Sequence, residues 1–167
     1  VELLQQAAEA GETRALAKLG NAYLEGGGVR RDVRKAYGLL QRAADRGYVN
    51  AYNDIADIFL EGKGGFQKDP DRAVDWLRRG AQEGNTSALT TLAKLRLEGR
   101  GSLMPNPAVG HQLLRRAIDQ GYAYAMVVMG DVYADGQGVE ADLSRAATWY
   151  RRAADKGHSS GMVRLGK

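Results

Sequence analysis

The strongest constraint on the fold is a pattern of small, apolar and aromatic residues that returns every 36 or 37 residues. Each copy begins with a small residue, continues with an apolar and then mostly an aromatic position one helical turn apart, and reaches a glycine-rich segment. The copies begin at Ala15, Ala51, Ala88, Ala125 and, in part, Gly161. Because several positions keep the same register through four copies, the sequence predicts a repeat protein.

Each copy predicts two α-helices that form a hairpin. Ala15, Leu19 and Tyr23 share one helical face in the first half, and the second half has the same spacing. Recurring alanine and glycine positions would let the two helices approach closely. The second halves also carry recurring signals for where a helix begins and ends. Residues that favour a helix start are Asp32, Asp69, Asn106 and Asp142, and prolines that favour the first helical position are Pro70 and Pro107. Glycines that favour a helix end are Gly47, Gly84, Gly121 and Gly157.

One such hairpin cannot bury both of its apolar faces, so the hairpins must stack on one another. The sequence therefore predicts an all-α fold, a right-handed α/α superhelical solenoid of about four stacked helical hairpins. We expect one domain over residues 1–167, made of a partial repeat 1–11, repeats of about 12–47, 48–84, 85–121 and 122–157, and a partial repeat 158–167. Since both ends fall inside a helix of the pattern, we also expect a fragment of a longer protein.

The pattern A-x3-LG-x2-Y-x2-G-x-GV-x2-D-x2-KA-x2-W/L-x2-RAA-x2-G resembles the Sel1-like repeat, a relative of the tetratricopeptide repeat. Residues 15–47 and 125–157 fit it closely, whereas Arg96 replaces an aromatic residue, residues 101–107 distort one loop, and the cysteines of the disulfide-bonded members are absent. The resemblance implies a non-enzymatic scaffold or adaptor that binds a protein or peptide. It also implies a bacterial envelope-associated complex, with the periplasm or cell envelope as the compartment.

By analogy with tetratricopeptide arrays, the first helix of each hairpin would line a concave groove. Positions two before, two after and six after the Leu19-type core residue are expected to face it, which includes Ala17, Thr90 and Val127. The polar side chains among them would hydrogen-bond an extended peptide. The predicted groove residues are Asn21, Asn53, Asp57, Lys94 and Asp131 from these positions, together with Tyr124 in the fourth first helix. The alternative is that these are solvated helix residues.

Apolar residues outside the repeat pattern suggest a further partner-binding patch. Leu103 and Met104 lie in the irregular loop, and Tyr124, Val127 and Val128 enrich one first helix. Exposed together they would bind a partner. The alternative is a locally thicker core or contact with a further repeat.

A second candidate surface is a row of arginines on the second helices, which we call the basic stripe: Arg42, Arg79, Arg116 and Arg152. It could bind an anionic polymer such as an exopolysaccharide that the protein helps to secrete, phospholipid headgroups or an acidic protein. The alternative is that each arginine complements the dipole at its helix end. The formal charge of +4 is too small to demand nucleic acid as a partner.

The sequence offers little for catalysis. It has two histidines and no cysteine, and its glycine-rich segments lack the strand and the Gly-Lys-Ser/Thr ending of a phosphate loop. We therefore expect no catalytic residue, no metal and no cofactor. No apolar run is long enough to span a membrane, and the sequence leaves the oligomeric state open.

Overall fold

A computed structural model describes residues 2–166 of the protein. Within this range the chain forms α-helices and one 3₁₀ turn and no strand, so the prediction of an all-α fold is confirmed. The helices are α1 Glu2–Glu9, α2 Thr13–Glu25, α3 Val33–Asp45, α4 Ala51–Glu61, α5 Pro70–Gln82, α6 Thr86–Glu98, α7 Pro107–Asp119, α8 Ala123–Asp135, α9 Leu143–Asp155 and α10 Ser159–Leu165, and the 3₁₀ turn is Lys63–Gly65.

The chain divides into two compact units. Unit 1 is Val1–Asn85 and contains α1 to α5, and unit 2 is Thr86–Lys167 and contains α6 to α10. In unit 1, α2 packs on α3 and α4 packs on α5, and in unit 2 the same hairpins form between α6 and α7 and between α8 and α9. We call α2, α4, α6, α8 and α10 the first helices and α1, α3, α5, α7 and α9 the second helices.

The predicted start and end signals of the second helices are confirmed. The Asp32 side chain accepts a hydrogen bond from the backbone N–H of Lys35 at 3.0 Å. Asp69, Asn106 and Asp142 each accept the same bond, at 3.0, 3.1 and 2.9 Å, from the residue three positions later. These bonds satisfy amide groups that a helix start leaves without a helical partner. A glycine with a φ between 79° and 85° follows the end of each of these helices.

Small residues set the distance between the two helices of a hairpin. A Cβ atom added at Gly20 would lie 2.9 Å from Leu40 Cγ, and one added at Gly130 would overlap the ring of Tyr150. The loops use glycine in a similar way, because a Cβ atom at Gly64 would overlap the side chain of Val33. The expected close approach of the two helices is therefore present in both units.

The first helices are buried around most of their circumference, and this corrects one expectation. Helix α8 buries every residue from Ala125 to Gly130, because α6, α7, α9 and α10 all pack against it. Ala17, Thr90 and Val127 were expected to face the groove, yet they are buried, with 1, 1 and 2% of their surface exposed. A helix enclosed by several neighbours has no solvent-facing stripe at these positions.

The predicted apolar patch does not form. Met104 is 78% exposed, but Leu103, Val127 and Val128 are buried in unit 2. The alternative of a locally thicker core is therefore correct for these three side chains.

Each of three hairpins carries a cation above an aromatic ring. The Lys35 ammonium lies 5.4 Å from the centre of the Tyr23 ring, and the Arg145 guanidinium lies 5.7 Å from the Tyr133 ring. Arg72 covers the buried Phe59 at 4.1 Å. In the third hairpin Arg96 takes the position of the aromatic ring and Val109 takes the position of the cation, so the basic residue is on the first helix instead.

Candidate partner-binding surfaces

The first helices of unit 2, together with Tyr150 of α9, line a pocket of about 210 Å³, which we call the α8 pocket. Three predicted groove residues, Lys94, Tyr124 and Asp131, meet there. They come from α6 and α8, so two successive first helices build the pocket. The full lining is Lys94, Leu97, Glu98, Tyr124, Val128, Asp131, Ala134, Asp135, Gln137, Tyr150 and Arg164.

Asp131 is fixed by two partners. The Tyr150 hydroxyl donates a hydrogen bond to Asp131 Oδ1 at 2.8 Å, and Arg164 Nη2 lies 3.2 Å from the same oxygen. Burial, followed by the hydrogen bond to Asp131, raises the pKa of Tyr150 to about 12. The phenol is therefore a protonated donor at neutral pH, and the Asp131 carboxylate is held in one orientation.

Aromatic stacking fixes one wall of the pocket. The Tyr124 ring stacks on the His158 ring, with a centroid distance of 5.7 Å and an angle of 28° between the planes. Tyr122 meets the Tyr124 ring edge to face at 6.3 Å. The half-buried Tyr124 therefore presents a restrained ring at the start of α8.

The other charged groups of the pocket have weaker partners. Glu98 pairs with Arg100 at 3.5 Å, and Asp135 accepts a hydrogen bond from Gln137 Nε2 at 3.5 Å. Both acidic residues are exposed. Together with the apolar side chains in the lining, they allow the pocket to receive a side chain that has an apolar stem and a polar end.

In unit 1 the predicted groove residue Asn21 contacts the next first helix. Its Nδ2 donates a hydrogen bond to Asp54 Oδ2 at 3.2 Å, and its own Oδ1 is buried without a hydrogen-bond partner. Burial raises the pKa of Asp54, and the bond from Asn21 opposes that shift. The predicted residues Asn53 and Asp57 lie on α4, where both are half-buried.

The two contacts between successive first helices use the same repeat positions. Asn21 and Asp54 are 33 residues apart, and so are Asp131 and Arg164. Sequence reasoning identified Asn21 and Asp131 but missed Asp54, Arg164 and Tyr150. The recurring separation of 33 residues between polar side chains is the sequence signal that could have identified Asp54 and Arg164.

The four arginines of the basic stripe are all exposed. Two of them stack on a tryptophan three residues earlier in the same helix, Arg79 on Trp76 at 4.5 Å and Arg152 on Trp149 at 4.3 Å. Arg79 also pairs with Asp45 at 3.3 Å. These contacts hold the guanidinium groups against the second helices.

Within residues 2–166, no group of three or more histidine, aspartate or glutamate side chains is arranged to hold a metal ion. No helix in the same range combines the length and the apolar character that crossing a membrane requires.

Similarity to known proteins covers nearly the whole chain. The Sel1 repeat family model matches residues 1–12, 13–48, 49–85, 86–122 and 123–158. No curated protein matches the chain.

Solved bacterial structures match it as well. A protective antigen of uropathogenic Escherichia coli with an SLR fold is 32% identical, with a TM-score of 0.81 over 99% of this chain and 35% of the antigen. A Sel1 repeat protein of Oxalobacter formigenes is 27% identical, with a TM-score of 0.84 over 98% of this chain and 64% of that protein. An immunity protein of Pseudomonas aeruginosa is 28% identical, with a TM-score of 0.70 over 96% of this chain and 58% of the immunity protein. The chain thus spans less than two thirds of the length of each.

Proposed function

The chain belongs to the Sel1 repeat family, and from this premise we propose that it is a non-enzymatic scaffold that binds a segment of a partner protein along its first helices. Sel1 repeat proteins generally mediate protein–protein interactions. The observation that carries the proposal is the α8 pocket, where Lys94, Tyr124 and Asp131 line one cavity. A role within a complex of the bacterial cell envelope is part of the same proposal.

The α8 pocket suits a partner side chain because its walls are fixed before binding. Asp131 is held by Tyr150 and Arg164, and Tyr124 is held by His158. Side chains that are ordered in the free protein lose less conformational entropy when a partner binds. A restrained tyrosine beside apolar side chains is typical of the residues that dominate binding energy at interfaces.

The charges indicate how the partner segment would be oriented. An apolar side chain of the partner would enter over Leu97 and Val128, and donor groups that flank it would face the exposed Glu98 and Asp135. Lys94 would pair with an acceptor on the same segment. Polar contacts of this kind contribute more to specificity and orientation than to affinity.

Binding measurements on two pocket variants test the proposal. The partner is first recovered by co-purification with the full-length protein from its native cell, and its dissociation constant is then measured by calorimetry. We expect Lys94→Glu and Tyr124→Ala to weaken binding by at least about tenfold, which corresponds to about 1.4 kcal/mol. Arg115→Glu is the matched control, because it makes the same change of charge at an exposed position on α7. Unchanged affinity in both pocket variants would contradict the proposal.

The second candidate function is a scaffold for an anionic polysaccharide that binds the basic stripe. The observation in its favour is that the exposed Arg79 and Arg152 are both held against tryptophan rings. Binding of this kind weakens steeply with salt, and it would be lost when Arg79 and Arg116 are changed to glutamate. Retention on an anionic polysaccharide that is independent of salt would exclude it.

A further inference from the structure

A cleft on α5 in unit 1 lies outside the proposed groove. It has a volume of about 250 Å³ and is lined by Tyr37 from α3 and by Arg72, Asp75, Trp76 and Arg79 from α5. We call it the α5 cleft. Two guanidinium groups thus face one small cleft that has aromatic side chains in its lining. The cleft lies on the second helices, because α3 and α5 both belong to that set.

Aromatic rings hold both guanidinium groups in place. Arg72 lies 4.1 Å from the centre of the Phe59 ring, and Arg79 lies 4.5 Å from the Trp76 ring and 5.6 Å from the Tyr52 ring. A guanidinium that stacks through its face keeps its N–H groups in the plane, where they can donate to a carboxylate. Because the two groups are already ordered, less entropy is lost when they bind an anion.

The cations of the α5 cleft are only partly neutralised. Asp45 pairs with Arg79 at 3.3 Å, and Asp75 pairs with Arg78 at 3.4 Å rather than with the arginines of the cleft. No ion pair among residues 2–166 engages the exposed Arg72. One guanidinium with no carboxylate partner and a second with a single ion pair leave donor capacity for an external anion.

We propose that the α5 cleft binds a carboxylate of an acidic segment in a partner protein, with Arg72 and Arg79 as the donors. Trp76 is only 8% exposed and is covered by Arg79, so it offers no open ring face on which a sugar could stack. A flexible aspartate or glutamate side chain needs no such face. The site is separate from the α8 pocket, and its partner segment would bind on the second helices.

The fluorescence of Trp76 is a direct probe of the α5 cleft once Trp149, the other tryptophan, is changed to phenylalanine. The full chain with Trp149→Phe is titrated with a short oligoglutamate peptide at low and moderate salt. We expect a saturable change in Trp76 emission that weakens with salt. Arg72→Gln should weaken binding at least about fivefold, and Arg72→Gln combined with Arg79→Gln should abolish it. Circular dichroism melting verifies that each variant is folded.

The matched control uses the equivalent arginines of α9. Arg145→Gln combined with Arg152→Gln makes the same change of charge on α9. At this equivalent place the position of Tyr37 is taken by His111, whose ring contacts the Gln137 carbonyl oxygen at 3.0 Å. We expect oligoglutamate to bind this control as tightly as the parent.

Three outcomes would overturn the proposal. The first is an equal loss of oligoglutamate binding in the α5 and α9 variants. The second is no change in Trp76 emission on addition of oligoglutamate. The third is a response of Trp76 to oligogalacturonate or inorganic phosphate that is as strong as its response to oligoglutamate. None of them bears on the partner of the α8 pocket, which is tested with Lys94→Glu.

Discussion

At the scale of single residues, one pair of repeat positions links successive first helices with two different chemistries. In unit 2 the pair is the charged Asp131 and Arg164, and in unit 1 it is Asn21 and Asp54. Asp131 has two donors, whereas the buried Oδ1 of Asn21 has none. The two bridges should therefore respond in opposite ways to removal of their charge.

The Tyr150 hydroxyl should make the stability of the protein fall at alkaline pH. The folded pKa of about 12 lies above the ordinary value of 10.0, so as the pH rises from about 10 towards 12 the unfolded chain ionises first and the folded state loses stability. The loss is at most about 1.4 kcal/mol for each pKa unit. Tyr150→Phe has no phenol to ionise, and it should lose about 1–3 kcal/mol of stability at neutral pH through the missing hydrogen bond to a charged group.

Urea unfolding of the two proteins across this pH range measures the difference. The advantage of the parent over Tyr150→Phe should be constant below about pH 10 and shrink above it. An advantage that stays constant up to pH 12 would show that burial and Asp131 do not raise the pKa of the phenol.

Asp54→Asn should stabilise the protein at neutral pH by roughly 1 kcal/mol. The change removes a charge that burial disfavours, keeps an acceptor for Asn21 Nδ2, and adds a donor that Asn21 Oδ1 lacks. Because the pKa of Asp54 is raised above 3.8 in the folded state, the parent loses stability as the pH rises through the interval above that value.

The gain in stability from Asp54→Asn should therefore vanish at a pH below 3.8, the ordinary pKa of aspartate, where the carboxyl of the parent is neutral. Chemical unfolding at acid and neutral pH measures it, with the exposed Asp119→Asn as the control. A loss of stability at neutral pH would mean that the Asp54 charge itself holds the bridge.

At the scale of elements, the sequence predicts the helices well because their signals are local. The Asp32 cap and the Gly47 end lie within one or two turns of the amides and carbonyls that they serve. The faces of the first helices are harder to predict, because Thr90 and Val127 are buried by neighbouring helices rather than by their own pattern. Tyr150 was missed for the same reason, since it meets Asp131 only in the packed structure.

Two glycines inside helices should respond oppositely to alanine. Nothing lies within 4 Å of a Cβ atom at Gly38 of α3, so Gly38→Ala should stabilise the protein by about 0.5–1 kcal/mol through helix propensity. At Gly130 of α8 the same atom overlaps the Tyr150 ring, so Gly130→Ala should destabilise it by about 1–3 kcal/mol. Midpoints of urea unfolding measure both, and equal effects would contradict the close packing of α8 on α9.

At the scale of the whole molecule, the chain consists of two compact units, each with its own hairpins. Stability in repeat proteins is close to a sum of contributions from each repeat and its neighbours. The repeat register and the all-α class could be predicted from the sequence, because they recur at a fixed period. The division after Asn85 could not, because Asn85 and Thr86 carry no break in that period.

Local destabilisation should therefore stay local. We expect Gly130→Ala to speed amide hydrogen exchange in α8, α9 and α10 by at least about fivefold, while α2 and α3 change by less than about twofold. Hydrogen exchange followed by mass spectrometry of peptides measures the two regions together. Equal acceleration in both units would show that they unfold as one cooperative body.

The cation above each aromatic ring has a consequence for how such a chain evolves. Both members of a pair, such as Arg145 and Tyr133, belong to the same hairpin, and the hairpin that lacks the ring carries Val109 where its neighbours carry the cation. Duplication or loss of one entire hairpin keeps each ring with its own cation. Recombination between the two helices of a hairpin would instead leave some rings without a cation and would place Arg96 against a second positive charge. Genetic exchange in this lineage should therefore favour breakpoints in the turns that separate hairpins.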